Sequence, residues 1–183
     1  MSINRIPFYR VKGTHYECAH AVGILTKEAI RQRIATDLAE FSVLFDFIRT
    51  DFGRKLHEDF IEIIRSSYPW YWDEFVGLSN GSEIPLEEIL VLNLLNETRT
   101  AYRSLKTTKS ESELGDRGCS SIMMNRKDTN ILSILHNEDH SIALYRGGYL
   151  LEADIQSSQY ENGNRESPNE KFVAFCCAGS IPG

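Results

Sequence analysis

Gly118-Cys119-Ser120-Ser121-Ile122-Met123-Met124 separates two unlike halves of the chain. Just before it, Leu105 to Arg117 is polar and nearly without apolar anchors, which predicts an exposed, mobile loop. Upstream of that loop the apolar residues recur at helical spacing, and downstream they occur in short runs broken by turn signals. The expected fold class is therefore α+β. Residues 1–118 form a mainly helical segment, and residues 119–183 form strands.

Upstream, Phe8-Tyr9-Arg10-Val11 reads as a strand, and Gly13-Thr14-His15-Tyr16-Glu17 turns the chain. From about Ala19 to Thr50, Ile24, Leu25, Ile30, Ile34, Leu38, Phe41, Leu44, Phe45 and Ile48 form one stripe, predicting a single long amphipathic helix. A second helix is expected from Arg54 to Ser67, with Leu56, Phe60, Ile63 and Ile64 inward and a stop before Pro69. Pro69-Trp70-Tyr71-Trp72-Asp73-Glu74-Phe75 opens another, its aromatic group read as a wedge between helices rather than a ligand box. Ser82 and Pro85-Leu86-Glu87-Glu88 begin a further helix reaching about Ser104.

Downstream, Ser121–Met124 and Asn130–His136 predict a hairpin about Arg126-Lys127-Asp128. Ser141–Tyr145 and Tyr149–Ile155 predict a second about Gly147-Gly148, followed by a polar loop from Gln156 to Glu170 and a strand from Lys171 to Ala178. So few strands, ending without a closing element, lack a partner layer, and the chain is expected to be truncated.

Composition sets limits. The chain has 183 residues and a net charge of −6, with 26 acidic and 20 basic residues, so it offers no electrostatic reason for a nucleic-acid or anionic-membrane partner. The N-terminus has no apolar signal core, and no window approaches the roughly 18 apolar residues of a membrane span, which predicts a cytoplasmic protein. A reducing compartment implies free thiols at Cys18, Cys119, Cys176 and Cys177, with Cys176 and Cys177 read as small core residues. His15, His20 and His57 are scattered and expected at helix or turn surfaces.

Cys119 opens a strand, and the polar cluster His136-Asn137-Glu138-Asp139-His140 follows one hairpin later. The cysteine sulfur can attack the Gly118 carbonyl, moving the acyl group from nitrogen to sulfur, after which water releases the segment ending in Gly118. A free α-amine, with pKa near 7.7, then lies beside a thiol whose ordinary pKa is about 8.5, so one residue supplies nucleophile and base. Asp139 is placed to hold that amine by a charge-assisted hydrogen bond.

The ordered set Gly13-Thr14-His15-Tyr16-Glu17, Ile84-Pro85-Leu86-Glu87-Glu88-Ile89-Leu90-Val91-Leu92-Asn93, Asp116-Arg117-Gly118-Cys119-Ser120-Ser121, His136-Asn137-Glu138-Asp139 and Cys177-Ala178-Gly179-Ser180-Ile181-Pro182-Gly183 resembles the acyl-coenzyme A:isopenicillin N acyltransferase-like group of N-terminal-nucleophile (Ntn) hydrolases. This is the C45 peptidase family, and the set is close to its insect N-β-alanyldopamine hydrolases. The resemblance covers about the N-terminal half of such an enzyme. It implies an αββα sandwich, Cys119 as nucleophile, Gly118-Cys119 as the autoproteolytic bond, Asp139 contacting the nucleophile's amine, and Ser121 as a hydroxyl beside it. The implied reaction is hydrolysis or acyl transfer at a small N-acyl amide, a β-alanyl amine being the best fit. No metal or organic cofactor is required, an acyl-coenzyme A donor is conceivable, and the cleaved α and β chains stay associated.

Two other readings compete. His136 and His140, four apart with acids between, suggest a metal-dependent hydrolase, but Asn137 stands where such motifs carry glutamate, and the preceding residues are strand-like. A non-enzymatic fragment or helical interaction module would use the long upstream stripe, which packing within the chain explains more simply.

Overall fold

The computed structural model describes residues 6–106, 119–137, 146–160, 163 and 165–181. It is a mixed α+β structure. Its elements are β1 (Phe8–Gly13), α1 (His15–Thr36), α2 (Leu38–Ile48), α3 (Asp51–Ser67), α4 (Pro69–Ser82), α5 (Leu86–Asn93), α6 (Leu95–Lys106), β2 (Ser120–Arg126), β3 (Ile131–Asn137), β4 (Gly148–Ile155), β5 (Gln159–Tyr160), β6 (Arg165–Glu166) and β7 (Glu170–Cys177). Among the described residues no helix is long and apolar enough to cross a membrane.

The central sheet has the order β1-β4-β7. β4 runs parallel to β1, with Val11 opposite Ala153, and antiparallel to β7, with Ala153 opposite Phe172. Successive residues of β4 alternate between the two faces of the sheet. Tyr149, Leu151, Ala153 and Ile155 are buried, together with Val11, His15, Cys18, Val22 and Glu74 of β1, α1 and α4. The opposite face pairs Arg10 with Glu152 at 2.7 Å and Lys12 with Asp154 at 3.3 Å, and leaves Val173 and Phe175 exposed.

The expected helix from Ala19 to Thr50 is two helices, broken at Asp37, whose side chain suits a helix boundary better than an interior. The expected stripe is also divided. Ile30, Phe41, Leu44, Phe45 and Ile48 are buried, whereas Ile24, Leu25 and Leu38 face solvent. The reason lies in α4. A Cβ on Gly23 would stand 2.6 Å from the Leu78 carbonyl oxygen, and one on Gly81 would collide with the His20 carbonyl. The two helices therefore meet through small residues, Ala19 and Gly23 of α1 against Gly77 and Gly81 of α4, while His15, Ile30 and Arg33 are buried elsewhere along α1. Ile63 of α3 is likewise exposed.

α1 begins at a capping box. Thr14 Oγ1 accepts from the Glu17 amide at 3.3 Å, and Glu17 Oε2 accepts from the Thr14 amide at 2.8 Å. The Thr14 amide, and after it the Thr14 side chain, hold the Glu17 carboxyl below its usual range. The helix expected from Pro85 to Ser104 breaks at Leu94, next to Asn93, whose amide nitrogen donates to Ile89 O and to Gly179 O, both at 2.8 Å. The Asn93 side-chain oxygen accepts from the Ile181 amide at 2.9 Å. Arg33 Nη1 donates to Ala178 O at 2.8 Å, so two side chains clamp the turn that follows β7.

The aromatic run does act as a wedge, but its outer partner is a small hairpin inside the expected polar loop. Tyr160 of β5 donates to Asp73 Oδ2 at 2.6 Å, and its ring lies 6.4 Å from Trp70. Residues 107–117 of the expected mobile loop, and the strand expected over 141–145, lie outside the described residues.

Candidate active site

Cys119 immediately precedes β2 and is exposed, while Cys18 and Cys176 are buried and Cys177 is half-buried. Burial pushes the Cys18 thiol up to about 11, with Glu74 adding to the effect, and pushes Cys176 up to about 11 as well, with Cys177 adding. A thiol must ionise to act as a nucleophile, so neither buried cysteine suits that task.

β2 and β3 form an antiparallel pair in which Ser121 stands opposite His136. Ser121 Oγ and His136 Nδ1 are 2.8 Å apart. Cross-strand partners share a face, so Ser121, Met123, Ile134 and His136 lie on one face of the hairpin. Apolar residues occupy both faces, with Ile122, Met123, Ile134 and Leu135 all exposed.

Of the expected site residues, Ser121 stands opposite His136, and Cys119 lies two residues before Ser121 in the sequence. Gly118, Asp139 and His140 lie outside the described residues. Among the described residues no group of three or more His, Cys, Asp or Glu side chains is arranged to hold a metal ion.

The expectation of surface histidines fails at His15 and His57, both of which are buried. His57 Nε2 lies 3.1 Å from Thr98 Oγ1, and burial lowers the pKa of its imidazole. His15 Nδ1 lies 2.6 Å from Glu74 Oε1, and burial raises the Glu74 carboxyl, offset in part by the hydrogen bond from His15. Cys18, His15 and Glu74 line one cavity of about 10 Å³, which would admit a single water at most and no substrate. This group has the composition of a nucleophilic triad but no room for its chemistry, so its role is structural. Spacing did not reveal it, because its members come from a helix N-terminus and from the middle of an aromatic run.

No family model matches the chain. It is 24% identical over 178 residues to the beta-alanyl-dopamine/carcinine hydrolase of Drosophila melanogaster, a match that covers 97% of this chain and 44% of that protein. The chain thus spans less than half the length of the curated relative it matches, and it is related to that hydrolase along nearly all of its own length.

Proposed function

We propose that the chain is the part of an amide hydrolase that carries the nucleophile, and that it acts on small N-acyl amines through a thioester at Cys119. The carrying observation is the match to a beta-alanyl-dopamine/carcinine hydrolase over 97% of the chain. The exposed position of Cys119, immediately before the strand that carries Ser121, supports placing the chemistry there.

In this reading the chain belongs among the cysteine N-terminal-nucleophile hydrolases of the C45 group, with an αββα sandwich as its complete fold. The Cys119 sulfur attacks the carbonyl of Gly118, the carbon–nitrogen bond breaks, and water resolves the thioester. The freed amine of Cys119, held by Asp139, is then the base in turnover. The sulfur attacks the substrate carbonyl, the amine leaves, and water, or an acceptor amine in the transfer variant, takes the acyl group. A β-alanyl amine is the substrate of first choice. Two cleaved pieces that stay associated and no required cofactor complete the proposal.

The test is intact mass and activity of the polypeptide expressed from its complete gene. The expected result is two fragments divided before Cys119, release of β-alanine from a β-alanyl amine, and loss of both in Cys119→Ala. An unsplit wild type, or a Cys119→Ala variant that still turns over substrate, would contradict the reading.

A further inference from the structure

We propose that the groove walled by α3 and by the first turns of α4 and α5 binds a protonated amine with an apolar body. Its ammonium lies against Glu58 and Glu62, and its body covers Ile61, Trp72 and Leu86. Nothing in this assignment depends on the chemistry at Cys119.

The groove follows from the packing of α3. Glu58, Ile61, Glu62 and Arg65 stand at i, i+3, i+4 and i+7, so they share one face of that helix. Trp72 of α4 and Leu86 of α5 also line it, and the space is about 650 Å³. Pockets that hold small molecules measure roughly 300–1,000 Å³. Ile61, Trp72 and Leu86 are only half-buried, so apolar surface remains open to solvent there.

Charge decides what fits. Glu58 and Glu62 lie about one helical turn apart, and both are exposed. Neither forms an ion pair among the described residues, and the preceding cations of α3 are engaged, Arg54 with Asp51 at 2.5 Å and Lys55 with Asp59 at 2.6 Å. Arg65, the third charged residue of the lining, turns to the aromatic ring instead, its Cζ 4.0 Å from the centre of Trp72. That contact shows a ring that accepts a cation on its face. An anion would meet two carboxylates against one guanidinium, and a neutral molecule would leave both carboxylates unused. An ammonium with an apolar body satisfies the acids and the apolar wall together.

Arg65 then stands where the ligand must lie. Its side chain is exposed, so it returns to water at little cost when displaced. Removing it uncovers Trp72 and takes away a repelling charge. Loss of this one lining residue should therefore tighten binding.

The experiment follows the Trp72 indole N–H by NMR in the polypeptide expressed from its complete gene, the signal being assigned by its loss in Trp72→Phe. Phenethylammonium is titrated in, with N-acetylphenethylamine as its uncharged counterpart. The expected result is a saturating shift with the amine and none with the amide at equal concentration. Binding should weaken about 10-fold in the Glu58→Gln, Glu62→Gln double variant and tighten about threefold in Arg65→Gln. All three substituted side chains are exposed, so the fold is retained, and unchanged positions of the remaining amide signals check it. An unmoved indole signal, an equal shift with the amide, an unweakened double variant or an Arg65→Gln variant that fails to tighten each overturns the site.

Discussion

His15 Nδ1 and Glu74 Oε1 stand 2.6 Å apart with 0% and 3% of their respective residues exposed, joining the first turn of α1 to the middle of α4. Breaking a buried pair leaves one polar group stranded, at a cost of about 3 kcal/mol. Glu74→Ala is expected to lose about that much stability. Glu74→Gln keeps a hydrogen-bonding oxygen and should lose about 1 kcal/mol. Urea denaturation at unchanged slope checks both, and equal losses would mean that packing, not the polar contact, sets the cost.

His57 gives the fold an acid-side weakness. Burial lowers its pKa in the folded protein, so the unfolded chain binds the proton more readily. The stability that follows is fully present above the unfolded value of about 6.5 and is lost as pH falls below it toward the lower folded value. His57→Gln should therefore lose less thermal stability than wild type between about pH 7 and pH 5. Glu74, whose carboxyl is raised by burial, acts in the opposite sense at lower pH, so the comparison is between the two proteins rather than along either curve.

Asn93 ties the end of α5 to the turn after β7 through bonds to Gly179 O and Ile181 N. Replacing it with alanine removes both and strands partly buried backbone groups. A loss of about 2 kcal/mol is expected, measurable by thermal or urea unfolding. Asn93→Asp retains the acceptor for Ile181 and should lie between the two.

The four thiols should differ sharply in reactivity. Cys119 is exposed, while Cys18 and Cys176 are buried and pushed up to about 11. Brief alkylation of native protein near pH 8, read by peptide mass, is expected to label Cys119 well before either buried thiol. Equal labelling of Cys18 would show that α1 opens on the timescale of the reagent.

Much of the architecture was legible. The hairpin about residues 126–128, the strand at residues 8–11 and the helix stop before Pro69 all follow from local turn and periodicity signals. What was hidden depends on contacts distant in sequence. The apolar periodicity of α1 pointed to Ile24 and Leu25, but close approach to α4 selects small side chains instead. The parallel pairing of β1 with β4 leaves no local mark, because its register is set by helices packed on one face. Of the candidate site, Cys119 was visible as a cysteine opening a strand after glycine, and Ser121 entered only through the family resemblance. The Ser121–His136 contact was not visible, since it depends on the register of the hairpin rather than on either residue's neighbours.

Residues 8–13 and 150–155 lie on opposite sides of Cys119 yet form adjacent strands. While the chain is continuous, β1 finds β4 by closing a loop, a step whose rate does not depend on protein concentration. Once the chain is divided between them, the same encounter becomes bimolecular. Under the proposed scission before Cys119, denatured cut protein is therefore expected to regain its structure faster as it is concentrated, while the uncut chain is not.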